Sequence, residues 1–295
     1  MLSPDDIDKL NAKIKSARIR DYSTVGTALR EFQEEWAKNG NTQLAIYKRG
    51  LTDSEVTRLK SEFDKEERLR LSVKTLLLEG NYITDASIQT IIEIIEKGCV
   101  ECVNLGNNDI TWEGCTQIFD AMQSRVPNIR KLEIHAQRPF KSENMPQCAM
   151  EGLKNLLENV VSLERLNISF CNITAKDWTV IAPGLFANKT LKSLDVSGNY
   201  FPKEIPELVA KCPLSELKLR AIEGLVFSEI FSSSVKLLKL DISRNRIGEN
   251  AVTALSHGLM GMQTLQSLRM SACSLGEQGS LKVILSGLGS NLSIK

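Results

Sequence analysis

Apolar residues fall into one repeating frame, LxxLxLxx(N/C)x(L/I), along most of the chain. Consecutive copies read VKTLLLEGNYI, VECVNLGNNDI, IRKLEIHAQ, LERLNISFCNI, LKSLDVSGNYF, LSELKLRAIEGL, LLKLDISRNRI and LQSLRMSACSL, and they begin at Val73, Val100, Ile129, Leu163, Leu191, Leu214, Leu237 and Leu265. The steps between them are 27, 29, 34, 28, 23, 23 and 28 residues. Within each copy the alternation predicts a short strand: Leu194 and Val196 point inward, Asp195 and Ser197 outward. The Asn or Cys that follows (Asn81, Asn108, Cys171, Asn199, Asn245 and Cys273) is placed to turn the chain, its buried side chain bonding loop backbone. The third copy departs from the frame. It has Gln137 at the turn and about six extra residues before the next helix, which reads as a rim loop, QRPFKSEN, whose removal is expected to leave the fold intact.

Between the strands, apolar residues recur at three and four spacing, as in Ile88, Ile91, Ile92 and Ile95, or Leu153, Leu156, Leu157 and Val160, or Leu281, Ile284, Leu285 and Leu288. Each unit is therefore strand, turn, helix and return. One unit cannot cover its own apolar face, so units stack, the strands form a parallel sheet, and the wider helices bend the stack with the strands on the concave side. The two 23-residue copies leave room only for short helices, EIPELVAK and VFSEIFS. Frame and period together resemble the leucine-rich-repeat family, and within it the ribonuclease-inhibitor-like class, over about residues 71–295. The expected fold is α/β, a leucine-rich-repeat solenoid of about eight repeats.

Residues 1–70 lack the frame and read as a helical N-terminal cap. Ser3, Pro4 and Asp5 open a helix with Ile7, Leu10 and Ile14 on one face. Val25, Leu29, Phe32 and Trp36 mark a second helix that ends before Gly40, and Thr52 with Glu55 makes a capping box for a third. At the other end LSIK begins what could be a ninth strand. That edge is expected to be covered by a partner, by self-association, or by further chain.

Composition narrows function mainly by exclusion. With 37 basic and 36 acidic residues, net charge +1, the overall balance selects neither nucleic acid nor a membrane surface as partner. No apolar run approaches the ~20 residues of a membrane-spanning helix, and no signal peptide is visible, so a cytoplasmic location is expected. The seven cysteines read as free thiols. Cys99 to Cys102 is a lone CxxC without the second pair a zinc site needs. No phosphate-binding glycine motif, HExxH or GxSxG occurs, and the two histidines, His135 and His257, fall on different faces; no enzyme and no cofactor are expected.

The resemblance implies a recognition scaffold. The strand register assigns His135, Arg165, Phe170, Asp195, Arg220, Asp241, Arg244 and Arg269 to the concave face, with a mild basic bias in its second half that suits an acidic partner. Arg138, Phe140 and Lys141 of the rim loop stand beside them. These eleven are the candidate protein-binding residues, Phe170 being an aromatic flanked by arginine. Two alternatives stay open because the class contains such proteins: a GTPase activator working through Arg138, and an actin-cytoskeleton regulator.

Overall fold

The computed structural model describes residues 24–126, 128–200, 212–222, 236–274, 278–291 and 293–294. The expected helix around Ile7, Leu10 and Ile14, the segments EIPELVAK and VFSEIFS, and Leu292 and Lys295 of LSIK lie outside them. In chain order the elements are α1 (Thr24–Asn39), β1 (Gln43–Ala45), α2 (Asp53–Lys65), α3 (Glu67–Ser72), β2 (Thr75–Leu77), α4 (Ile88–Lys97), β3 (Cys102–Asn104), α5 (Trp112–Ser124), β4 (Lys131–Glu133), α6 (Gln147–Asn159), β5 (Arg165–Asn167), α7 (Ala175–Ala187), β6 (Ser193–Asp195), β7 (Glu216–Lys218), β8 (Lys239–Asp241), α8 (Glu249–Gly261), β9 (Ser267–Arg269) and α9 (Gln278–Gly289).

The strands form one parallel sheet in chain order, β1 to β9. Their central residues pair in a single row, Leu44, Leu76, Val103, Leu132, Leu166, Leu194, Leu217, Leu240 and Leu268. All but Leu268 are fully buried against the helix layer. In that layer α5 packs on α6, α6 on α7 and α8 on α9. Helices pack 8–10 Å apart and strands only ~4.8 Å apart, which puts the sheet on the inner face of the stack. Most of the expected stripes are core, including Ile88, Ile91, Ile92 and Ile95 of α4. Leu285 is not: it is exposed while Ile284 takes the inward position, because no helix packs on that flank of α9 among the described residues.

The segment read as a purely helical cap also contributes a strand. β1 pairs with β2, and Leu44, Ile46 and Leu51 are buried like their counterparts Leu76, Leu78 and Ile83. The frame is hidden there because Asn41 stands at the first apolar position and Arg49 at the turn position. Ahead of it, α1 buries Val25, Ala28, Leu29 and Phe32 and ends at Gly40, whose φ of +70° suits glycine. At the start of α2 the Glu55 carboxylate accepts the Thr52 N–H at 3.3 Å, as the capping box predicts.

The turns are closed by a ladder of buried amides. Asn108 Oδ1 accepts the N–H groups of Asn81 and Ile83 in the preceding turn at 3.1 and 3.3 Å, and its Nδ2 donates to Leu78 O and Leu105 O at 3.0 and 2.8 Å. Asn199 does the same with Cys171 N, Ile173 N, Ile168 O and Val196 O. So does Gln137, accepting from Asn108 N and Ile110 N and donating to Leu105 O and Ile134 O. The departure at Gln137 is therefore no break in the repeat. The extra methylene is absorbed and the irregularity starts one residue later. Cys171 occupies a ladder position with a thiol that donates to Ser169 O at 3.5 Å and has no amide oxygen to receive the N–H groups of the preceding turn. The position corresponding to Ile173 in the preceding turn is Pro139, which has no N–H to satisfy.

A second ladder links the helix starts. The Asp53 carboxylate accepts from Thr84 N at 3.0 Å, Thr84 Oγ1 at 2.7 Å and the Ser87 hydroxyl; Asp85 accepts likewise from Thr111 N and its hydroxyl. Burial by itself raises the Asp53 pKa, but the Ser87 and Thr84 hydroxyls and the Thr84 N–H outweigh it and hold the group below the ordinary aspartate range.

Two predictions follow from these ladders, both read by urea unfolding. Asn108→Ala strands two buried N–H donors and should cost about 2–4 kcal/mol, whereas Cys171→Ala should cost about 1 kcal/mol. Equal losses would show that the amide bonds do not govern the turns. Because Asp53 is depressed in the folded state, its contribution is fully present above about pH 5 and fades as pH falls through its folded pKa. Asp53→Asn should flatten that acid limb of stability against pH; an unchanged slope would remove Asp53 from the account.

Candidate functional site

The sheet register sorts the outward side chains into rows. One row runs Lys131, Arg165, Ser193, Glu216, Lys239, Ser267 along β4 to β9, and a second runs Glu133, Asn167, Asp195, Lys218, Asp241, Arg269. In the second row, short polar residues bend back onto their own turns. Asn167, Asp195 and Asp241 accept the N–H two residues on, from Ser169, Ser197 and Ser243, at 3.0–3.1 Å. Asp195 and Asp241 are accordingly only 4% and 8% exposed. They are turn locks, which corrects their reading as contact residues.

Several cations of this face are also committed internally. Lys131 reaches Glu133 at 3.1 Å, Lys218 reaches Asp195 at 3.7 Å, and Arg220 reaches Asp195 at 3.3 Å and Asp241 at 4.0 Å. Arg165, Lys239, Arg244 and Arg269 carry no side-chain hydrogen bond or ion pair among the described residues, and Arg165, Arg244 and Arg269 are exposed as expected. His135 is half-buried. Its ring lies over Gly106, where any Cβ would collide with it, with Asn167 at 3.1 Å from Nδ1 and Glu79 at 3.8 Å from Nε2.

Phe170 lies one repeat beyond His135. It is 45% exposed, and its ring covers Gly198, where a Cβ would stand 2.2 Å from the ring edge. Its backbone is left-handed at φ +54°. The same turn position is left-handed in every repeat: Lys48, Gly80, Asn107, Ala136, Phe170, Gly198, Ala221, Arg244 and Ala272. That conformation costs a non-glycine residue free energy, so a large side chain there is unusual. The exposed aromatics Tyr47, Tyr82 and Tyr200 sit on the same set of turns. Alternation within the strands does not find Tyr82 and Tyr200; their place directly after the turn amides Asn81 and Asn199 does.

The rim loop is folded down. Phe140 is 1% exposed and stacks on Trp112, ring centroids 3.9 Å apart and planes 12° from parallel. Arg138 pairs with Asp109 through Nε and Nη2, donates to Asn81 O at 2.6 Å, and lies over the Tyr82 ring. The Asp109 hydrogen bond raises the Arg138 pKa further above the ordinary arginine value. Phe140 and Arg138 are thus a plug and a brace, correcting their reading as contacts; of the three loop candidates only Lys141 is exposed.

Among the described residues no three His, Cys, Asp or Glu side chains are grouped to hold a metal ion. Burial pushes the thiols of Cys115, Cys171 and Cys212 upward, that of Cys212 to about 11, so they stay protonated.

Comparisons with known proteins agree with this geometry. A family model described as Leucine Rich Repeat matches residues 190–224, and another described as Leucine Rich repeat matches 161–179 and 233–256. The ribonuclease inhibitor of Sus scrofa is 25% identical over 227 residues, covering 72% of this chain and 48% of that protein; that of Mus musculus is 24% identical over 222 residues, covering 69% and 46%. The chain thus spans about half the length of these relatives. A solved internalin from Listeria monocytogenes aligns with 89% of this chain and 72% of its own, at 16% identity and a TM-score of 0.47.

The plug sets a stability test that the sequence reading would fail. Phe140→Ala should cost about 3–5 kcal/mol, and removal of residues 138–143 should destabilise at least as much, while Lys141→Glu should stay within about 0.5 kcal/mol. Unfolding midpoints of the three variants measure this; a loop deletion as stable as the parent would return the loop to the status of a tolerated insertion.

Proposed function

Because the chain is a leucine-rich-repeat protein of the ribonuclease-inhibitor-like kind, we propose that its sheet face is a non-catalytic docking surface for another protein. Leucine-rich-repeat proteins generally act as interaction scaffolds. The observation that carries the reading is the uncommitted set on that face: Arg165, Arg244 and Arg269 exposed without a side-chain partner among the described residues, and Phe170 held out beside Arg165's strand by a strained turn. Arginine and aromatic side chains release most binding energy when desolvated at an interface. His135 and Arg220 contribute from the edge of the surface, and Lys141 from the rim.

Arg138 gives the catalytic alternative little support. A guanidinium paired to Asp109 and to the Asn81 carbonyl would have to break both contacts to reach a nucleotide. A cytoplasmic setting is supported by seven unpaired thiols. No helix of the described residues is long and apolar enough to cross a membrane.

A photo-crosslinking amino acid at position 218, on the sheet face, should yield a discrete protein adduct in an extract of the source cells, identifiable by mass spectrometry. The same group at position 158, on α6, should not. Phe170→Ala combined with Arg165→Glu should weaken binding of the purified adduct partner by about tenfold or more in Kd. Adducts from both positions alike, or unchanged affinity in the double variant, would overturn the docking face.

A further inference from the structure

The charge of the sheet face is unevenly committed, and the imbalance is local to one end. Over β4 to β7 each lysine and arginine except Arg165 has a carboxylate within reach: Lys131 with Glu133, Lys218 with Asp195 and Glu216, Arg220 with Asp195. Over β8 and β9 this stops. Lys239, Arg244 and Arg269 on the face, and Arg246 on the adjoining turn, have no side-chain partner among the described residues. The acids described on β7 and β8 are already engaged: Asp241 accepts from Ser243 N, and Glu216 stands 3.8 Å from Lys218. A chain whose formal charge is only +1 therefore presents, at this end of the sheet, four cations without a side-chain partner among the described residues.

A second observation concerns Arg244. Its φ is +61°, in the turn position that five of the other eight repeats fill with Gly or Ala. Its own N–H is tied to Ser271 O at 2.8 Å, so the strained backbone is locked and the side chain is left outside. Strain of this kind persists where the surrounding structure over-determines it, and it is enriched at ligand clamps. The neighbours at the same level are small, Ala221 and Ala272, and leave the guanidinium unobstructed. Between the strands lies a shallow depression of about 190 Å³ whose polar lining is three cations, Lys218, Lys239 and Arg269, with Ser267 and the two acids Glu216 and Asp241. It is below the ~300 Å³ at which small-molecule sites begin, and suits a side-chain carboxylate.

From these features, and resting on the docking-face reading above, we propose that the β8–β9 end of the sheet recognises an acidic segment of the partner protein. Carboxylates would lie over Lys239 and Arg269 and be gripped in forked geometry by Arg244. A nucleic acid fits less well. Asp241 and Glu216 interrupt the cations where a continuous phosphate string would pass, and no aromatic side chain stands among the described residues of β7 to β9 for bases to stack on.

The test is fluorescence anisotropy on the full chain with a fluorescein-labelled glutamate-rich peptide, about ten residues long so as to cross three strands ~4.8 Å apart. The peptide should bind at low salt, and Kd should rise at least about fivefold between ~50 and ~200 mM ionic strength. The combined Lys239→Glu, Arg244→Glu and Arg269→Glu variant should lose binding, the milder Arg269→Gln should weaken it, and Lys154→Glu on the helix layer should leave it unchanged, each variant first matched to the parent in unfolding midpoint. If the triple variant is less stable, Arg269→Gln decides. No binding by the parent, indifference to these substitutions, or tighter binding of a single-stranded oligonucleotide of equal charge would overturn the proposal. A surviving crosslink from position 218 would then show that the docking face stands while its acidic preference fails; loss of both would sink both.

Discussion

The buried turn amide is the interaction on which the rest of this molecule depends. A parallel sheet of three-residue strands offers few backbone bonds per repeat, and each strand must end by reversing into a helix. At that reversal N–H and C=O groups leave the ladder inside the protein, where an unmet group costs roughly 1–3 kcal/mol. One primary amide, with two acceptor lone pairs and two N–H donors, can meet them in its own repeat and in the one before. Asn81, Asn108, Gln137, Asn199 and Asn245 do so. Repeats are thereby joined by a polar spine as well as by the leucine row.

Exceptions to the spine show the same constraint. A thiol does not match the accepting half of an amide, and at Cys171 the preceding turn has Pro139, a residue with no N–H, where other turns have a leucine or isoleucine N–H to be bonded. The proline in turn opens the short 3-10 turn that carries Phe140 over Trp112 and starts the rim loop. The inserted loop and the missing amide are thus parts of one local solution. Arg138 closes it from outside, through Asp109, Asn81 and Tyr82. Its contacts span three consecutive repeats, which is why a loop of polar appearance behaves as core.

How much of this was legible in sequence depends on the range of the interaction concerned. Strand alternation and the turn amide lie within a dozen residues, and they identify the eight frames and the solenoid. The copy at Leu44 was missed since Asn41 and Arg49 occupy the two marker positions, although the burial of Leu44, Ile46 and Leu51 follows the same spacing. Asp195 and Asp241 were placed outward correctly, but alternation says nothing about a carboxylate turning back onto an N–H two residues ahead. Phe140 and Arg138 were misread because Trp112 and Asp109 lie about one repeat upstream, and no pattern within a single repeat shows that contact.

The turn that satisfies the backbone also determines which side chains remain for recognition. It forces one residue per repeat into left-handed geometry and folds the short acids of the neighbouring strand inward. Carboxylates are short enough to be absorbed this way, whereas lysine and arginine reach past the turn. A face with nearly balanced composition therefore becomes cationic wherever the acids are consumed and no second carboxylate stands opposite. Over β4 to β7 the opposing carboxylate is present for every lysine and arginine but Arg165, and those cations are held against the sheet. Over β8 and β9 no such pair forms among the described residues. The charge this face presents is consequently set in part by how the fold closes its turns, a property that counting lysines against glutamates in the sequence does not reveal.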